Sequence, residues 1–196
     1  MERLHKVSAG FVFAFLCLHF ANHLVGLEGL SAHQQFMDAA RLVYRHPVVE
    51  LCVLLAFVVQ IITGVPLVRT IWSERKDFVH QLQAASGVAM VVFILAHVAW
   101  IAVARLALNL DTNIYFVASC FSNKPLGYVV YGFYGVGIMA LFVHMGCIIF
   151  DIFKKTSRPL GYVCLTTTVG VGVYVTYLLL MMYSGHFYPI DVTVAG

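Results

Sequence analysis

VAMVVFILAHVAWIAVA, residues Val88–Ala104, decides the fold: one histidine, His97, is the only ionisable side chain in an otherwise apolar run. A stretch of this kind is not a β-strand alternating between two faces. It is an apolar helix, and with its flanks it reaches from Leu82 to Leu106. Crossing about 30 Å of hydrocarbon takes about 20 helical residues. Working outward, four more runs meet that length: Val7–Leu27, Val48–Trp72, Gly127–Phe153 and Leu160–Tyr183. With 61% hydrophobic and only 11% charged residues, most of the chain is committed to these spans. The sequence therefore predicts an all-α integral membrane bundle of five transmembrane helices, residues 1–196 forming one domain with short polar connections. The first apolar run is too long for the h-region of a leader, and no clear small-residue cleavage site follows it, so no cleaved signal is expected.

The basic residues set the orientation. Arg3, Lys6, Arg69, Arg75, Lys76, Lys154, Lys155 and Arg158 fall on one side; Arg41, Arg45, Arg105 and Lys124 fall on the other. Basic residues accumulate on the cytoplasmic side of membrane proteins, so the N-terminus is expected inside, in a bacterial plasma membrane or a mitochondrial inner membrane. The longer connections, Glu28–Pro47 and Ala107–Pro125, are then outside. A net charge of +3 reflects this bias and implies no nucleic-acid partner. The five cysteines, Cys17, Cys52, Cys120, Cys147 and Cys164, form no CxxC pair and read as small apolar packing residues. Cys120, in an outer connection, is the one expected to react.

An ionisable side chain at membrane depth is costly and points to function. His19 sits in FVFAFLCLHFANHLV, Phe11–Val25. A weak internal repeat relates it to His97: Ser8-Ala9-Gly10 precedes His19 as Ala85-Ser86-Gly87 precedes His97. Small residues let helices approach closely. At 1.5 Å per residue each histidine lies about 13–15 Å beyond its small cluster. The two spans run in the same direction, so the histidines reach matching depth. Two facing imidazoles there read as axial ligands of one b-type haem.

The residues also resemble the five-helix, dihaem-type cytochrome b membrane anchor of succinate dehydrogenases and fumarate reductases. Arg3-Leu4-His5 and His19, Gln60-Ile-Ile-Thr-Gly64, Leu82-Gln83-Ala-Ala-Ser86-Gly87 with His97, and His144 carry the likeness over nearly the whole chain. In that family four histidines from the first four spans hold two haems, the outer one between spans one and three. The resemblance assigns His19 and His97 to the outer haem and His144 to the span-four position. It puts Gln60 where the span-two ligand stands, and glutamine is a poor ligand for haem iron. One haem b is thus implied, with Gln60 and His144 as the remnant of an inner site, the two bonded to each other across the helix pair. The family's partners are membrane quinone and, on the inner side, flavoprotein and iron–sulfur subunits; membrane lipid surrounds the anchor.

Several residues surround this core reading. His23, one turn beyond His19 on the same face, is the alternative span-one ligand or a partner for a haem propionate. Asn22 is read as a packing group off that face. Arg41, Arg45 and Arg105 lie at the outer boundary, where arginine pairs carboxylates such as propionates in bidentate fashion. Glu28, Asp38 and Glu50 are the outer acids. His5 and His80 are expected to be solvated at the inner boundary. His33, His46 and His186 are expected outside, where they and His23 offer an alternative divalent-metal cluster. No nucleophile or acid–base constellation is legible, so the chain is no enzyme by itself, although it fits one subunit of an oxidoreductase. The competing classes are a non-redox anchor or assembly protein whose histidines only hydrogen-bond, and a haem- or metal-handling membrane protein.

Overall fold

The computed structural model describes residues 2–195. Among them 85% are helical and none is in a strand, as the apolar runs require: in hydrocarbon a backbone must satisfy its own polar groups, and a helix does so within one segment. Five helices are long and apolar enough to cross a membrane: α1 (Glu2–Val25), α3 (Pro47–Ser73), α4 (Phe78–Ala102), α6 (Leu126–Phe153) and α7 (Arg158–Tyr183). Many of their large apolar side chains point outward, Ile62, Val92, Val136 and Val173 among them, which suits a lipid surround and makes this an integral membrane bundle.

The two longer connections are not plain loops. They fold into α2 (Leu30–Tyr44) and α5 (Ile114–Ser122). Gly29, at φ 125, turns the chain from α1 into α2 in a conformation that L side chains rarely adopt. Asn113 caps α5 by accepting from the amides of Tyr115 and Phe116, and Asp77 caps α4 through Val79 and His80, each satisfying amides a helix start leaves free. Pro47 stands in the first turn of α3, where a missing N–H costs nothing.

Chain direction alternates, so the N-terminal face of the bundle carries the start of α1, the α3–α4 turn and the α6–α7 turn. The opposite face carries α2 and α5. The α6–α7 pair packs most closely because glycines clear the way: a Cβ on Gly172 would fall 2.4 Å from Phe142 Cβ, and one on Gly161 2.9 Å from the Phe150 ring. Two tight clusters result, Val79, Cys147, Phe150 and Leu165 toward the N-terminal face and Ile114, Phe121, Leu179, Met182 and Tyr183 toward the other. Alongside the second cluster the packing is not closed, and a cavity remains.

Candidate functional site

The cavity measures about 550 Å³, within the usual range of about 300–1,000 Å³ for small-molecule and cofactor sites. Side chains of α1, α3, α4, α6 and α7 wall it, and His33 and Met37 of α2 cover it. Four imidazoles line it: His19 and His23 from α1, His33 from α2 and His97 from α4. The rest of the lining is largely aliphatic and aromatic, with Arg45, Glu50 and Arg105 at its far end.

His19 and His97 face each other with ring centroids 6.3 Å apart and planes inclined at 72°. Two imidazoles facing each other across an apolar cavity are the donor set that a bis-histidine haem would need. Each ring is also held in plane by a phenylalanine one helical turn earlier. Phe15 stacks on His19 at 5.5 Å and 21°, and Phe93 stacks on His97 at 5.4 Å and 13°. The Phe-x-x-x-His spacing is shared by both spans and was legible, yet only the small residues before it were read. Gly137 of α6 admits the Phe93 ring so closely that a Cβ there would lie 2.1 Å from it.

His23 is bound on both nitrogens. Its Nε2 lies 3.1 Å from His19 Nε2, and its Nδ1 pairs with the Tyr183 hydroxyl. His97 Nδ1 pairs with the Tyr134 hydroxyl at 3.2 Å. Neither tyrosine was singled out from sequence; both come from helices distant along the chain. Asn22 corrects its reading as an off-face packing group: it lines the cavity, and its Oδ1 is buried without a partner.

At the far end Arg105 pairs with Glu50, Nη1 to Oε1 at 2.5 Å, and Arg45 donates to Thr112 at 3.0 Å. Arg105 stands in a π-helical segment, Val103–Ala107, that ends α4, a local widening common at functional sites. Arg41 lies outside the cavity lining and clamps Asp111, with contacts at 2.7 and 3.3 Å. Burial, and after it the charges of Arg41 and Arg105, hold the Arg45 guanidinium below its ordinary value. Of the three outer arginines, Arg45 and Arg105 are the two placed to meet a carboxylate in the cavity.

The inner remnant takes a different form from the expected one. Gln60 does not bond His144. Its amide donates to the His5 carbonyl at 2.7 Å and the Ser8 hydroxyl at 2.6 Å, tying α3 to α1. His144 Nδ1 pairs with the Gln83 carbonyl at 3.0 Å, and its ring rests against Gly87. Neither residue lines the cavity. An amide committed to two acceptors on α1 and an imidazole turned to α4 do not fit a second haem. The reason is proximity: the polar backbone and hydroxyl of the adjacent α1 are nearer partners than an imidazole two helices away.

Of the peripheral histidines among the described residues only His33 comes near His23, their ring centroids 6.5 Å apart. His33 is buried beneath α2, with Nε2 3.4 Å from the Tyr183 hydroxyl and Nδ1 unpartnered. His186 pairs with Ser184, and His46 precedes α3. No group of three or more His, Cys, Asp or Glu able to hold a metal ion occurs among the described residues. His5 is not simply solvated: it pairs with Thr63 at 2.8 Å. His80 sits between Asp77 at 2.9 Å and Asp151 at 3.6 Å. Burial pushes the Cys120 thiol up, which lowers its thiolate fraction. Compared with protein-family models, with curated proteins and with solved structures, the chain matches none.

Proposed function

We propose that the chain is a haem b-binding transmembrane electron-transfer protein, with one haem held by His19 and His97 and a membrane quinone as its redox partner. The carrying observation is the pair of imidazoles, each stacked on a phenylalanine, with ring centroids 6.3 Å apart across one apolar cavity. When bound, the haem supplies a one-electron carrier; the protein supplies binding, orientation and electrostatics. His19 and His97 bind through neutral imidazole nitrogens, and Phe15 and Phe93 hold their planes. The aliphatic and aromatic lining excludes water. Arg45 and Arg105 offer guanidinium donors to carboxylates at the far end, with Glu50 and Asp111 balancing their charge when no carboxylate is present.

The basic residues of the N-terminal face support an inside N-terminus. They also suit docking of peripheral flavoprotein and iron–sulfur subunits there, in a bacterial plasma membrane or mitochondrial inner membrane, which would make the chain the cytochrome b subunit of an oxidoreductase. The deciding experiment is the absorption spectrum of purified protein, oxidised and dithionite-reduced, with a pyridine haemochrome assay. The expected result is a low-spin b-type spectrum and about one haem per chain. A protein that binds none after expression with haem supplied would overturn the reading in favour of a non-redox membrane protein.

A further inference from the structure

Two tyrosines from different helices meet two of the cavity imidazoles at the same ring atom. Tyr134 of α6 reaches His97 Nδ1 at 3.2 Å, and Tyr183 of α7 reaches His23 Nδ1. The Tyr134 ring stands edge-on to His97 at 88°, so the contact is made by the hydroxyl and not by stacking. Both phenols are braced by one residue. Phe121 of α5 lies parallel to Tyr183 at 16° and packs on Tyr134 at 5.7 Å. Tyr183 also approaches His33 Nε2 at 3.4 Å, so its oxygen stands between two imidazoles.

We infer that Tyr134 and Tyr183 are positioning residues of the imidazole cluster, each phenol oxygen accepting the Nδ1 proton of one histidine, which leaves the Nε2 of His97 bare and the Nε2 of His23 able to accept from His19 Nε2–H at 3.1 Å, so that His19 keeps its lone pair on Nδ1. A neutral imidazole has one N–H and one lone pair, and the partner of one nitrogen settles the state of the other. Were Tyr134 the donor, the proton of His97 would sit on Nε2, which then could not ligate. Tyr183 completes its valence by donating its own O–H to His33 Nε2 while accepting from His23. A hydrogen bond accepted from the outer N–H of a metal-bound imidazole fixes the ring and raises its basicity. Tyr134 therefore stabilises the ferric over the ferrous state of any iron His97 holds. That consequence, and the choice of Tyr134 as acceptor from His97, rest on the proposed haem; the contacts of the two phenols with His97 and His23 do not.

The test compares Tyr134→Phe, Tyr183→Phe and, as a control, Tyr174→Phe, whose side chain lies on the exposed surface of α7. In metal-free protein labelled with ¹⁵N-histidine, NMR is expected to show His97 and His23 as Nδ1–H tautomers, Tyr134→Phe disturbing His97 and Tyr183→Phe disturbing His23 and His33. In haem-loaded protein Tyr134→Phe is expected to keep one haem per chain with a raised midpoint potential and altered low-spin EPR g values. The Tyr174→Phe protein should match wild type in both. An Nε2–H tautomer for His97 in wild type, or a Tyr134→Phe protein with unchanged tautomer and potential, would overturn the inference. A wild-type protein that takes up no haem refutes the functional reading alone, and the NMR result then decides the positioning roles.

Discussion

Two alanine substitutions on α6, five residues apart, should have opposite effects. Gly132 has open space where a Cβ would stand, whereas a Cβ on Gly137 would lie 2.1 Å from Phe93 Cδ2 and 2.4 Å from two further ring atoms. Ordinary contact begins at 3.4 Å, so Gly137→Ala must displace the ring by about 1.3 Å, the difference of those two distances. The ring has little freedom, packed on Phe133 at 4.8 Å, His97 at 5.4 Å and Tyr134 at 5.6 Å. Overpacking of this kind costs about 1–3 kcal/mol. Replacing a helical glycine by alanine returns about 0.5–1 kcal/mol. Gly132→Ala should thus be stabilised by about 0.5–1 kcal/mol, and Gly137→Ala, where the same gain is set against the overpacking, destabilised by up to about 2.5 kcal/mol. The gap of about 1–3 kcal/mol is about 5- to 150-fold in the unfolding equilibrium. Reversible denaturation in detergent micelles measures that difference. Absorption spectroscopy measures its second consequence, because a displaced Phe93 no longer fixes the His97 plane. Equal stability of the two variants, or a Gly137→Ala protein with wild-type stability and spectrum, would refute the wedge of Phe93 against α6.

Further expectations concern the ligands, the inner remnant and pH. His97→Ala and His19→Ala should each abolish the low-spin spectrum, while His23→Ala should keep haem and shift its potential; loss on His23→Ala with retention on His19→Ala would reverse the assignment on α1. Gln60→His should leave the haem count at one, and it removes two hydrogen bonds to α1 at a cost of about 1–3 kcal/mol if the freed groups stay dry; a second haem in this variant would show that the inner site is still open. Burial, and after it the charge of Arg41, lower His33 to about 4 from 6.5. Between those values the unfolded chain takes a proton the native state refuses, so this contribution is intact above pH 6.5 and is lost as pH falls toward 4. It amounts to about 3 kcal/mol at most. Metal-free His33→Gln protein should therefore show a shallower loss of stability over that window in thermal denaturation, and parallel curves would exclude His33 as the titrating group.

Charge scarcity and run length made the spans readable in advance: Val48–Trp72 became Pro47–Ser73 and Gly127–Phe153 became Leu126–Phe153. The solvent imposes this, since in hydrocarbon a single apolar run satisfies its own backbone only as a helix, whatever its neighbours. Periodicity along one helix likewise placed His19 and His23 together and matched the depth of His97. What depends on a second helix was not readable. That Tyr134 and Tyr183 meet His97 and His23, that Asn22 opens into the cavity, and that Gln60 turns to Ser8 instead of His144 all follow from helix rotation and approach. Those are set by where glycines such as Gly137, Gly161 and Gly172 let another helix's side chain sink in. The amphipathic α2 and short α5 were missed because their fold is fixed by tertiary contacts, the Arg41–Asp111 clamp and the burial of Phe121 against the tyrosines, and not by the apolar length that marks a span.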